Sequence, residues 1–214
     1  MMKKDGLDKT WFYKIITTFI PNDELEADGT PDEMIQLTAQ KAFGISAGLG
    51  MIPGPVGIVA ILPELTMLTK IQIELIYKIA KFYKKEQQLN YTLISLIFGN
   101  SLGVAIGSDF VKKVGPRIVI KAMTNKVVME IAEKLGIKIG FSASAKAAGR
   151  WLPFVTAPVF GYFSMKMTEK IGKEADKLFA SDLEIEVATT CNNGHDMPVE
   201  SNFCPVCGVQ VVND

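Results

Sequence analysis

All 3 cysteines and the only histidine of this 214-residue chain fall between positions 191 and 207, as Cys191, His195, Cys204 and Cys207. Three thiolates and one imidazole make a Cys3His set, which zinc accepts in a closed tetrahedron. Cys204-Pro-Val-Cys207-Gly208 has the form of a knuckle, in which a tight turn brings two sulfurs to one ion, and Cys191 with His195 supplies the other pair. Four protein ligands leave no open position for an activated water, so the expected zinc is structural. A tail of this size cannot build a sufficient apolar core alone, and metal binding would fold it. Placing His195 on zinc also strips the rest of the chain of His and Cys, which excludes Ser/His and Cys/His catalysis there.

The elements that must position these ligands are short. Leu183 to Val187 and Val209 to Val212 alternate well enough to be the strands of a zinc ribbon over 182–214. An odd cysteine count and zinc-bound thiolates argue for a reducing compartment. The N-terminus does not read as a signal peptide, because Asp5 and Asp8 interrupt its basic residues and Lys14 breaks the apolar stretch.

The body is unusually apolar. Net charge is +0 and 48% of residues are hydrophobic, with a mean hydropathy of +0.22. Zero net charge gives no field toward nucleic acid, and nucleic-acid binding is not favoured. Residues 7–20 put Leu7, Trp11, Phe12, Ile15, Ile16, Phe19 and Ile20 on one stripe, either a helix docked on the body or an interfacial membrane anchor. With the acidic linker that follows, this forms an N-terminal segment, 1–30. Thr30-Pro31-Asp32-Glu33 then carries a capping box, Pro at the first helical position and acids at the positive dipole end.

From 31 to 181 the sequence reads as helices only: 31–49, 58–86, 90–107, 116–135, 138–149 and 153–180. Pro53 and Pro55 make 50–57 a loop. It lacks Gly-Lys-Ser/Thr and the dinucleotide fingerprint, so phosphate binding there is rejected. Ala42–Pro63 and Gln87–Ser108 carry no charge, each over 22 residues. Both suit buried core helices or re-entrant hairpins at least as well as membrane spans. Small residues recur every four positions at Gly44 and Gly48, at Ser95, Gly99, Gly103 and Gly107, and at Gly136, Gly140, Ser144 and Ala148, which predicts tight helix pairing in lipid or in water. A basic run, Lys112, Lys113, Arg117, Lys121 and Lys126, reads as a membrane-proximal patch or a solvated helix face. Glu64 and Glu74 share a helix at no facing interval.

Across roughly 34–180, Pro63, Gln72, Ile79-Ala80, Tyr83, Gly99-Asn100, Pro153, Gly161 and Ile171-Gly172-x2-Ala175-x3-Phe179 resemble the EcsC-like family of bacterial proteins. That resemblance implies an all-helical, strongly hydrophobic protein with no established catalytic residues. The family takes its name from a gene neighbouring an ABC transporter in Gram-positive bacteria, which implies an accessory or adaptor role. The tail resembles the FCPxCG ribbons appended to many bacterial proteins. The expected architecture is a mainly α, compact hydrophobic bundle or set of hairpins with a small C-terminal β zinc ribbon. The expected function is a non-enzymatic accessory protein at the cytoplasmic face of the membrane, peripheral or hairpin-inserted, contacting membrane lipid or a membrane protein. The alternative is a soluble module holding a lipid or hydrophobic peptide in an apolar groove. An enzyme of another type would need clustered acids or lysines, and the sequence offers no such cluster.

Overall fold

Thr30 opens the first long helix as its sequence predicts. In the computed structural model, which describes residues 11–19, 25–104, 110–114, 117–121, 127–135, 153–185, 189–190 and 196–197, the Glu33 carboxylate accepts from the Thr30 backbone N–H at 2.7 Å, and the Glu33 N–H donates back to the Thr30 hydroxyl. The Thr30 backbone N–H first, and then the Thr30 hydroxyl donating to the same carboxylate oxygen at 2.9 Å, hold the Glu33 carboxyl below its ordinary range. The helices are α1 (Trp11–Thr18), α2 (Pro31–Gly50), α3 (Gly54–Val59), α4 (Ile61–Phe82), α5 (Tyr91–Leu102), α6 (127–135) and α7 (Pro153–Ala180). The described chain is mostly helical.

The helix expected over 58–86 spans Ile61–Phe82, and two other departures from the sequence reading have identifiable reasons. Residues 50–57 are not all loop: Pro55 sits in the first turn of α3, where its missing N–H costs nothing. The helix expected over 90–107 stops at Leu102, because Gly103 takes a left-handed φ of 62° and the Val104 N–H closes back on the Gly99 carbonyl at 2.8 Å. Gly103 is therefore a cap, not a member of a packing stripe.

The expectation of helices alone over 31–181 fails between 111 and 120. β1 (Val111–Val114) and β2 (Arg117–Ile120) pair antiparallel, with Val114 opposite Arg117. Within the helix expected over 116–135, residues 117–120 are strand and residues 127–135 are helix. Val-Lys-Lys-Val and Arg-Ile-Val-Ile are too short to show alternation, although their β-branched content suits a pleat. β3 (Asp182–Ile185) joins β2 in parallel after the crossover through α7. The strand expected at 183–187 thus exists in part, but as the third strand of this sheet. A zinc ribbon is not seen among the described residues.

α4 and α5 form the centre. Ile73, Leu75, Ile76, Ile79, Leu93, Leu96, Ile97 and Phe98 are buried, and Phe179, Ile171 and Ala175 of α7 close over them. The charge-free window 87–108 therefore holds a core helix. α1 docks on the same core: Phe12 meets Phe98 edge to face, and the Trp11 indole donates to Thr66 at 3.2 Å. Among the described residues, α1 is thus a helix docked on the body.

Close helix approach occurs at α7, not at the Gly44 and Gly48 stripe. A Cβ at Gly172 would stand 2.5 Å from Ile35 Cγ1, and one at Gly161 would stand 2.9 Å from the Phe43 ring. Around Gly44 and Gly48 there is open space within 4 Å. Residues 136–150, holding another expected stripe and the 138–149 helix, lie outside the described residues. Lysines at and just past the C-terminal end of α4 are partly structural: Lys85 donates to the Phe179 and Ser181 carbonyls at the C-terminal end of α7, and Lys81 to the Leu25 carbonyl. Tyr83 donates to Asp176 at 2.8 Å; partial burial, then this bond, raises its pKa.

Candidate functional site

The expected zinc ligands Cys191, His195, Cys204 and Cys207 lie outside the described residues. β4 (Thr189–Thr190) and β5 (Asp196–Met197) bracket the first pair, with Thr190 paired antiparallel to Asp196. Among the described residues, no group of three or more His, Cys, Asp or Glu side chains could hold a metal. The basic run is not a free helix face. Arg117 on β2 meets Asp182 at 3.2 Å and Glu184 at 3.0 Å across the parallel pair. Those partners raise its pKa, Asp182 first, and solvent screening keeps both contacts weak.

Sequence reasoning missed a place, among the described residues, where buried polar side chains converge. Glu64 of α4 is 0% exposed, as is Ser46 of α2. The Ser46 hydroxyl donates to Glu64 Oε1 at 2.6 Å and stands 2.6 Å from the Ser164 hydroxyl of α7. Ser46 has one hydrogen and spends it on Glu64, so Ser164 donates to Ser46. A second branch runs from Gln72 Nε2 to Thr168 Oγ1 at 2.9 Å, and from Thr168 to the Ser164 carbonyl at 2.9 Å. Three helices are tied together by this chain. All its members are buried, which suits a cross-brace better than a place where substrate is turned over. A signal was available. Glu64 is the only ionisable residue between Lys41 and Lys70, and with Leu68 and Gln72 it falls on the stripe facing the core.

Beyond this brace lies an end of the bundle with a different surface. Phe43 of α2 packs on Gly161 and Ile35 on Gly172, so α2 and α7 run antiparallel. Gln72 bonds Thr168 and Leu75 touches Gly172, so α4 runs parallel to α7. The C-terminus of α2, all of α3 and the N-termini of α4 and α7 therefore share one end. Large apolar side chains are exposed there: Val56 at 69%, Val59 at 75% and Phe154 at 82%, with Met51, Leu62, Val155, Val159 and Phe163 around them. Segments 42–63 and 151–165 hold no charged residue. Among the described residues, Glu64 is the sole carboxylate or cationic side chain at this end, and it is buried. At its margin Lys166 bonds Glu169 at 2.8 Å and stands over the Tyr162 ring, and that carboxylate partner raises its pKa.

The buried positions Ile171, Gly172, Ala175 and Phe179, among the residues behind the family resemblance, all serve helix packing. No protein-family model, curated protein or solved structure matches this chain.

Proposed function

We propose that this chain is a non-enzymatic, membrane-associated accessory or adaptor protein that attaches to lipid through the apolar end of its helical body. The observation that carries this reading is the concentration of exposed Val56, Val59, Phe154, Val155 and Phe163 at one end of the bundle. Exposed apolar patches of this kind mark membrane or partner contacts. Gly54–Phe82 is long and apolar enough to cross a bilayer by length and composition. Its α4 part, however, is packed by α1, α2 and α7, which favours attachment from one side over a crossing. The EcsC-like resemblance agrees with such a role and extends it to an ABC transporter as partner.

The test is flotation with lipid vesicles. The wild-type chain is expected to rise with the vesicles, whereas Val59→Asp/Phe154→Asp stays below with an unchanged helical circular dichroism spectrum. Each added aspartate costs about 2–3 kcal/mol in hydrocarbon, so the double variant is expected to lose at least 100-fold in vesicle affinity. Wild-type protein that remains below in every lipid mixture would sink the proposal.

The tail is proposed as a docking module folded on one structural zinc held by Cys191, His195, Cys204 and Cys207. The antiparallel pairing of Thr190 with Asp196 supports it, since those residues flank the first two ligands. Metal analysis of reduced, freshly purified protein is expected to give about one zinc per chain, and Cys204→Ser/Cys207→Ser to abolish it. A stoichiometry near zero for the wild type would rule the site out.

A further inference from the structure

The first exposed charged residue met on leaving the apolar end is a lysine on each of the three helices that build it. These are Lys41 on α2, Lys70 on α4 and Lys166 on α7, all exposed. Helix register places them at one height. The contacts of Gln72 with Thr168 and of Leu75 with Gly172 make residue 70 level with 166 or 167. The contacts of Phe43 with Gly161, Ser46 with Ser164 and Ile35 with Gly172 center the antiparallel register so that residue 41 is level with 166. No acid stands between any of these lysines and the apolar end except buried Glu64. Glu169, the partner of Lys166, lies about one turn further away.

Depth is the second observation. At 1.5 Å per residue, α7 extends about 18 Å from Lys166 to Phe154, and α2 and α4 extend about 14 Å past their lysines to Gly50 and Ile61. Half of a bilayer's hydrocarbon core is about 15 Å. Aromatic side chains sit near the same height. Tyr162 lies under the Lys166 ammonium at 5.7 Å, and Trp11 is fixed to Thr66, one turn from Lys70. Lysines and amphipathic aromatics at the edge of an apolar zone are the pattern of a headgroup boundary.

We propose that Lys41, Lys70 and Lys166 form a basic collar that seats the apolar end in a single leaflet by binding the phosphates of anionic lipids. This rests on the membrane reading above and adds a lipid class and a depth to it. The occupant is an anionic leaflet rather than a protein, because the collar has one sign on all three helices and the apolar zone matches one leaflet in depth.

The experiment compares vesicles of phosphatidylcholine alone with vesicles containing 30% phosphatidylglycerol, using the full chain. The wild type is expected to bind the anionic vesicles about 100-fold more tightly, at about fivefold per lysine, with the preference shrinking in high salt. At about fivefold per lysine, Lys41→Gln/Lys70→Gln/Lys166→Gln is expected to lose about 100-fold on anionic vesicles and to change little on neutral ones. The matching triple Lys→Arg variant should retain binding. Lys84→Gln/Lys173→Gln/Lys177→Gln, equal in charge but at the other end, should stay within about twofold of the wild type. Equal wild-type affinity for both vesicle types overturns the collar and leaves the apolar-end reading standing. Binding to neither overturns both. Equal losses from the two Lys→Gln triples would reduce the effect to net charge and also overturn the collar.

Discussion

Gly172→Val is expected to lower the unfolding free energy by about 3 kcal/mol, and Gly172→Ala by about 1–2 kcal/mol, read as a shift in the urea midpoint at constant slope. A Cβ at this position would stand 2.5 Å from Ile35 Cγ1 and 3.1 Å from both Ile35 Cδ1 and Leu75 Cδ2. Ile35 and Leu75 are 3% and 1% exposed, so neither can swing into solvent to make room. Cγ1 of a β-branched side chain lies close to its own backbone, and relief requires α2 itself to move away from α7. Alanine regains about 1 kcal/mol of helix propensity over glycine, which offsets part of the strain. Gly44→Ala on exposed α2 faces open space, and there the same propensity should stabilise by up to about 1 kcal/mol. Opposite signs at the two glycines would locate the close helix contact. A stabilising Gly172→Ala would refute the packing argument. Ile35→Ala should relieve the alanine strain in a double-mutant cycle, giving a coupling of about 1 kcal/mol.

That contrast shows how far the sequence could be read. Spacing of four identified small residues on helix faces, but spacing cannot say which face meets a neighbour. Gly44 and Gly48 satisfy the pattern and stand in the open, whereas Gly161 and Gly172, eleven positions apart, carry the contact. Local signals fared better. Thr30 and Glu33 gave the start of α2, and the span of α7 was legible from its apolar period up to Ala180. The β1 and β2 strands escaped because four residues each are too few for a period, and β2 is held by pairing with β3 some sixty positions away. The collar of Lys41, Lys70 and Lys166 was invisible for a similar reason. Each lysine is ordinary in its own helix, and only the register between helices brings the three to one height. The expected zinc ligands Cys191, His195, Cys204 and Cys207 rest on residue type and spacing alone and lie outside the described residues.

Glu64→Leu is expected to destabilise the protein by about 2–3 kcal/mol, although it puts an apolar side chain into an apolar core. The reason lies in what it leaves behind. Ser46 donates its only hydroxyl hydrogen to Glu64 Oε1 and accepts from Ser164, all three being buried or nearly so. Without the carboxyl, the Ser46 hydroxyl gives up its bond to Oε1 in a site closed to water, and losing that buried bond carries a desolvation penalty. Ser46→Ala alone should cost about 1–3 kcal/mol by the converse argument, because Glu64 and Ser164 then each lose a partner. The triple variant Glu64→Leu/Ser46→Ala/Ser164→Ala removes every member of this branch, and replacing all partners with apolar groups is close to neutral. It should therefore be more stable than Glu64→Leu by about 2 kcal/mol. Ser164→Ala spares the second branch, since Thr168 bonds the Ser164 carbonyl and not its hydroxyl. Additive losses in the triple variant would refute the chain as an energetic unit. Vesicle flotation of the same triple variant separates folding from attachment. If the brace only fixes α2, α4 and α7 against one another, flotation is unchanged, because Val59, Phe154 and the lysine collar are untouched. A variant that folds yet no longer floats would give Glu64 a direct part in membrane binding.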